Sequence, residues 1–167
     1  MSGLRGDGRA VSVAVTHVLA IGIVTILLAG LLITAGNVLD NQKQSAAKDQ
    51  LDTVGDRLAG EISSLERTAT PGADETIVLD TTHPARVSGA TYTVRLRTGN
   101  DCSGPLIDNS ATDACLVLST TMLSDDRIVP VDVDDANVVD GSASGGDVRI
   151  VYDSTGGSPT ITIESQP

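Results

Sequence analysis

Hydrophobic and polar positions divide the chain into three textures. From Val11 to Gly36 there is no Asp, Glu, Lys or Arg, and only Ser12, Thr16, His17, Thr25 and Thr34 are polar. A bilayer core about 30 Å thick is crossed by roughly 20 apolar residues in a helix, so this run is long enough to span. In the second texture the apolar positions are Ala47, Leu51, Val54, Leu58, Ile62 and Leu65, spaced 4, 3, 4, 4 and 3. That is the stripe of an amphipathic helix. Nothing between Gly36 and Asn41 forces a break, and Thr70, Pro71 and Gly72 end the pattern as Pro and Gly do. The pattern predicts one helix from about Val11 to Arg67, roughly 85 Å long at 1.5 Å per residue. Its first part belongs in lipid or among copies of itself. Its stripe of Leu51, Val54, Leu58, Ile62 and Leu65 lies on whatever folds next.

After Pro71 the period changes to two. Thr76 to Asp80, Tyr92 to Arg97, Cys115 to Ser119, Arg127 to Val133, Val148 to Tyr152 and Thr160 to Glu164 read as strands. Clusters of Gly, Ser, Asp and Asn separate them, including residues 98–101, 141–146 and 154–158. Five to six mostly antiparallel strands are expected, the last two as a hairpin, with Pro130 marking an edge or a bulge. With Tyr92 and Tyr152 as the aromatic residues, the core must be Val, Ile and Leu. The fold class is α+β: a long N-terminal helix, spanning and then amphipathic, packed on a small antiparallel β-sheet head. The divisions are a leader (1–10), a transmembrane helix (11–36), an amphipathic continuation (37–70) and a β-rich head (71–167).

Targeting signals change this picture in one respect. A secretory signal peptide has an apolar region of about 7–15 residues before a small-residue cleavage site. The run here is longer, although Thr34, Ala35 and Gly36 leave a cleaved signal and a secreted head as an alternative. The leader carries Arg5 and Arg9 against Asp7, so the positive-inside tendency keeps it in the cytoplasm and turns the head outward. Gly22, Gly30 and Gly36 are either points of close helix approach or tolerated flexible points.

Charge narrows the partners. Asp and Glu total 22 against 11 Lys and Arg, a formal net charge of −11, and Lys43 and Lys48 are the lysines. Such a surface repels a phosphate backbone, so no nucleic-acid partner is expected. The Asp-rich, Lys-poor balance looks like that of proteins from salt-loving archaea. Cys102 and Cys115 flank a loop of Gly, Pro, Asp and Asn between two expected strands. In a head outside the cell they pair by default, and the alternative is two free thiols or a partial metal site short of ligands.

Catalytic chemistry is not legible. His17 lies in the apolar run, where it reaches the headgroup region, and His83 precedes Pro84 in a loop. There is no nucleophile elbow, dinucleotide fingerprint or phosphate loop. The stretch from Asp132 to Gly141 has the acid density of a calcium loop but carries Ala136 and Asn137 at its fifth and sixth positions, where the sixth needs Gly. A solvated acidic loop is the better reading. No enzyme activity, metal or cofactor is expected.

The junction of Arg9, Ala10, Val11 and Ser12 with the uncharged run resembles the processing site of archaeal type IV pilins and pilin-like proteins, and the strong acidity points to a haloarchaeal member. The resemblance covers the whole layout, and its specific part is about 25 residues. It implies that a prepilin peptidase in the membrane cuts after Ala10 and leaves Val11 as the mature N-terminus. It also implies a surface filament, used in adhesion, whose core is the bundled apolar helices of many pilin-like subunits. Two positions depart from the pattern: Val13 stands where many archaeal pilins have Pro, and Val15 where bacterial-type pilins have Glu. The alternative is an unprocessed, single-pass surface protein whose head binds a partner.

Overall fold

The computed structural model describes residues 8–70, 72–103, 114–134 and 136–167, and for residues 8–13 and 100 the backbone alone. Residues 1–7 of the leader lie outside the described residues. Helix α1 runs Gly8–Thr68, starting three residues before the expected Val11. The chain falls into two units that divide between Gln42 and Lys43, and each is taken by itself.

In the first unit the helix carries large apolar side chains on all sides: Val15, Val18, Leu19, Ile21 and their successors to Leu39 are each at least half exposed, Leu32 to 74%. Two of its threonines need no outside partner. Thr25 Oγ1 donates to the Ile21 carbonyl at 2.8 Å and Thr34 Oγ1 to the Gly30 carbonyl at 2.9 Å. A hydroxyl satisfied within its own helix can enter an apolar medium without leaving a bare donor.

The second unit is the remainder of α1 laid on one mixed sheet. Its strands are β1 (Thr76–Thr82), β2 (Tyr92–Thr98), β3 (Ala114–Thr120), β4 (Arg127–Val131), β5 (Asn137–Val138), β6 (Gly141–Ser144), β7 (Asp147–Asp153) and β8 (Thr160–Ser165). Their order is β1-β7-β8-β6-β2-β3-β4, with β5 paired to β8 off that path. β7 and β8 form the closing hairpin, Tyr152 opposite Ile161. Pro130 falls on β4, the edge strand, where a missing N–H costs no ladder bond.

Alternation decides which face is buried. Tyr92, Val94 and Leu96 of β2, Leu116 and Leu118 of β3, Val148, Ile150 and Tyr152 of β7, and Ile161 and Ile163 of β8 all enter one core. Leu51, Val54, Leu58, Ile62 and Leu65 of α1 belong to the same core, each at most 6% exposed. The helix approaches the sheet closely at Gly55, where an added Cβ would sit 2.6 Å from Val129 Cγ2 and 3.1 Å from Leu118 Cδ1.

Two expectations are corrected. The segment 141–146, read as a loop, contains β6, which pairs antiparallel with β2 and parallel with β8, and β5 adds a second parallel pairing. These strands lack the Val/Ile/Thr alternation of their neighbours. They exist because β2 and β8 flank them, and Gly141 is required because a Cβ there would strike the Ile163 carbonyl. The fourth strand ends at Val131, not Val133, because the chain turns there to meet α1: Ser63 Oγ donates to the Asp132 carbonyl at 2.7 Å.

The opposite face is largely polar, apart from the Val78–Val151 pair of β1 and β7 and one buried place on β3. Cys102, in a short 3-10 helix (Gly99–Cys102), is bonded to Cys115 of β3 with Cα atoms 5.5 Å apart. Both cysteines are fully buried, and with Val117 and the partly buried Ile128 they make a second, small apolar cluster. Near it Arg95 pairs with Asp126 and Arg97 with Asp140, and farther across the sheet Arg149 of β7 pairs with Asp80 and Glu164. Most of the intervening loop, residues 104–113, lies outside the described residues.

Three outcomes follow from this packing. Gly55→Ala is expected to lower stability by about 1–3 kcal/mol through overpacking against β3 and β4. Gly60→Ala, where nothing lies within 4 Å, is expected to raise stability by up to about 1 kcal/mol through helix propensity. Urea midpoints that move in the same direction for both variants would contradict the close approach. Cys102→Ala with Cys115→Ala is expected to cost about 3 kcal/mol, the closure term for a loop of this length. A denaturation midpoint equal to that of the parent would show that the bridge carries no stability.

The Asp80 ion pair adds a pH term. Arg149 hydrogen-bonds both carboxylate oxygens of Asp80, at 2.7 and 3.2 Å, and holds that carboxyl below its ordinary range. A carboxyl lowered in the folded state stabilises fully above its unfolded value, and that contribution disappears as pH falls through the folded value. Asp80→Asn is therefore expected to flatten the acid limb of the stability–pH curve, by a small amount because the pair is open to solvent. An acid limb steeper than that of the parent would contradict this assignment.

Candidate functional site

The junction of Arg9, Ala10, Val11 and Ser12 lies within the helical backbone of α1. Its side chains are outside the described residues. Beyond it, the strongest feature of the first unit is its uncovered apolar surface. Scattered exposed leucines are ordinary on soluble proteins, but a long contiguous run is not. Ile26, Leu27, Leu28, Leu31, Leu32 and Ile33 point around the full circumference, so this is not a one-sided amphipathic stripe. The most apolar 18-residue window of the helix has a mean hydropathy of 2.7 and is 0% buried. α1 is thus a candidate membrane anchor. Nothing lies within 4 Å of a Cβ added at Gly22, Gly30 or Gly36.

In the head, polar contacts lock α1 to the sheet around its apolar stripe. Arg127 grips both oxygens of Asp52 at 2.8 Å, which holds the guanidinium above its ordinary pKa. Glu66 accepts the backbone N–H groups of Asp134 and Ala136 at 2.9 and 2.8 Å. The acidic stretch that begins at Asp132 is therefore anchored on a helix carboxylate at these two positions. Among the described residues, no group of three or more His, Cys, Asp or Glu is placed to hold a metal ion.

His83, read from sequence as a loop residue without a role, has the most unusual surroundings in the head. Its side chain is 1% exposed, with Nε2 3.2 Å from Glu61 Oε2 and 3.4 Å from Thr81 Oγ1. Glu61 Oε1 in turn accepts Arg57 Nε at 3.0 Å. Glu61 Oε2 is near enough to His83 for an ion pair yet lacks the alignment of a hydrogen bond, and His83 Nδ1 has no hydrogen-bond partner. Two buried polar atoms in this state are costly and single out the place. No spacing in the sequence announces it, because Glu61 and His83 come from different elements.

His83 lines a cleft of about 490 Å³ between α1 and the β1–β2 connection. Asp49, Gln50, Thr53 and Arg57 line it from the helix, and Pro84, Arg86 and Val87 from the connection. The connection is held in place locally. Tyr92 Oη donates to the Pro84 carbonyl at 2.8 Å, and burial pushes that hydroxyl above its ordinary pKa. Val87 and Ala90 exchange backbone hydrogen bonds across a tight turn, with Ser88 in the left-handed region at φ 47°. Gln50 Oε1 accepts the Ser88 N–H at 2.7 Å and pins this strained residue to the helix.

The arginines divide in a telling way. Arg57, Arg67, Arg95, Arg97, Arg127 and Arg149 each have a carboxylate within 4.0 Å. Among the arginines whose side chains are described, Arg86 alone has none, and its Nη1 donates to the Gly89 carbonyl at 3.1 Å. In so acidic a chain, an arginine facing a cleft without a carboxylate is the exception.

No curated protein and no solved structure matches the chain. A protein-family model matches residues 6–164, nearly its full length, and on that match the chain belongs to DUF7266, a family of unknown function.

Proposed function

We propose that the chain is a structural, non-catalytic, pilin-like subunit of an archaeal, haloarchaeal-type cell surface. In this reading it is inserted through the apolar part of α1 with its N-terminus inside and its head outside. Prepilin peptidase removes the leader after Ala10, and the matured helix joins other pilin-like subunits in a type IV pilus-like filament that serves adhesion. The observation that carries the reading is a helix apolar on every side, from Val15 to Leu39, directly behind the Arg9–Ala10 step. Such a surface requires lipid or like helices around it. The exposed glycines at 22, 30 and 36 are compatible with close helix neighbours.

A second reading is favoured by one residue. Val15 occupies the position where bacterial-type pilins place a carboxylate against a neighbour's amine, and this suits a single-pass surface protein that is never cut and presents a binding head.

Replacing Arg9 and Ala10 together by Glu separates the two. Under the pilin-like reading the variant accumulates at full length in the membrane fraction, with none in filaments sheared from the cell surface. If parent and variant run at the same mass and fractionate alike, the processed-subunit reading is wrong and the plain anchor stands.

A further inference from the structure

We propose that the cleft floored by His83 is a binding site for an acidic sugar, a ligand of the hexuronate class. The inference rests on the head alone and is independent of processing and filament assembly. Arg86 faces the cleft with no carboxylate of its own. Arg57 faces it with Nε held by Glu61, which leaves its terminal N–H groups to donate. A planar guanidinium matches a carboxylate through two parallel hydrogen bonds, so the missing group is an anion with two coplanar oxygens.

The rest of the lining selects what carries that anion. Asp49 is an acceptor of hydroxyl hydrogens and repels a dianion, which disfavours phosphate and sulfate. Gln50 spends its oxygen on Ser88 and keeps its amide hydrogens. Thr53 Oγ1 donates to the Asp49 carbonyl and keeps its lone pairs. Donors and acceptors thus alternate along one helix face, as adjacent hydroxyls on a ring demand, while Pro84 and Val87 offer apolar contact to its C–H face. The volume of about 490 Å³ suits a monosaccharide or a short acidic chain end. Among the described residues no Phe, Tyr or Trp lines the cleft for a base to stack on, and the net charge of −11 repels nucleotides.

The test is a titration of the isotope-labelled full chain in detergent micelles with sodium glucuronate, followed through arginine Nε–H and His83 ring signals. Glucose, glutamate and sodium chloride at matched ionic strength serve as controls. Expected are saturable shifts at Arg57, Arg86 and His83 with glucuronate, and none that saturate with the controls. Arg86→Gln should weaken binding at least tenfold, and Arg97→Gln, on the opposite sheet face, should leave it unchanged. Because Arg86 is exposed, its variant should melt with the parent. Should it not, Thr53→Val, which removes an acceptor at an exposed helix position without changing the charge, must weaken glucuronate in its place. Equal affinity for glutamate would identify a site for acidic peptides instead. Shifts with chloride alone, no saturation, or an unaffected Arg86→Gln would each overturn the proposal.

Discussion

The head depends on the packing of five side chains, Leu51, Val54, Leu58, Ile62 and Leu65, against one face of the sheet. With Tyr92 and Tyr152 as its largest core side chains the sheet cannot close its own core, and a single apolar face in water is not a stable arrangement. The helix supplies the missing layer, and Gly55 lets it approach β3 and β4 more closely than any other residue would allow. The polar clamps, Asp52 to Arg127 and Glu66 to the backbone after Asp132, border this contact and set its register. The disulfide acts on the other side, covering the part of β3 that the helix does not reach.

The same helix has two solvents written into it. Up to Leu39 its side chains are apolar around the circumference, and Thr25 and Thr34 are satisfied internally. From Ala47 it is apolar along a stripe and charged elsewhere. This difference separates a segment made for lipid or for other helices from one made for a protein core. The proposed role in a surface filament joins those two demands in one chain, and the acidic exterior suits a head bathed in solvent.

Legibility followed sequence separation. The helix stripe and six of the strands could be read because each is encoded by its own period, and the hairpin of β7 and β8 by a turn cluster between two such runs. β5 and β6 could not, since Asn137, Val138 and the run from Gly141 to Ser144 have no strand pattern and are held by neighbours distant in the chain. His83 and Arg86 escaped notice for the same reason. One is defined by burial against Glu61, the other by lacking the carboxylate partner that the remaining described arginines possess. Neither property has a local signature, whereas the proposed processing junction from Arg9 to Ser12 is a purely local pattern.

The account's central claim is that the chain matures by losing its leader. The most direct measurement is the N-terminal residue of the protein recovered from its native membrane, by terminal peptide mapping. The account predicts Val11. A start at Met1 or Ser2 would contradict it and leave a plain anchor, and a start beyond Gly36 would contradict it and leave a secreted head.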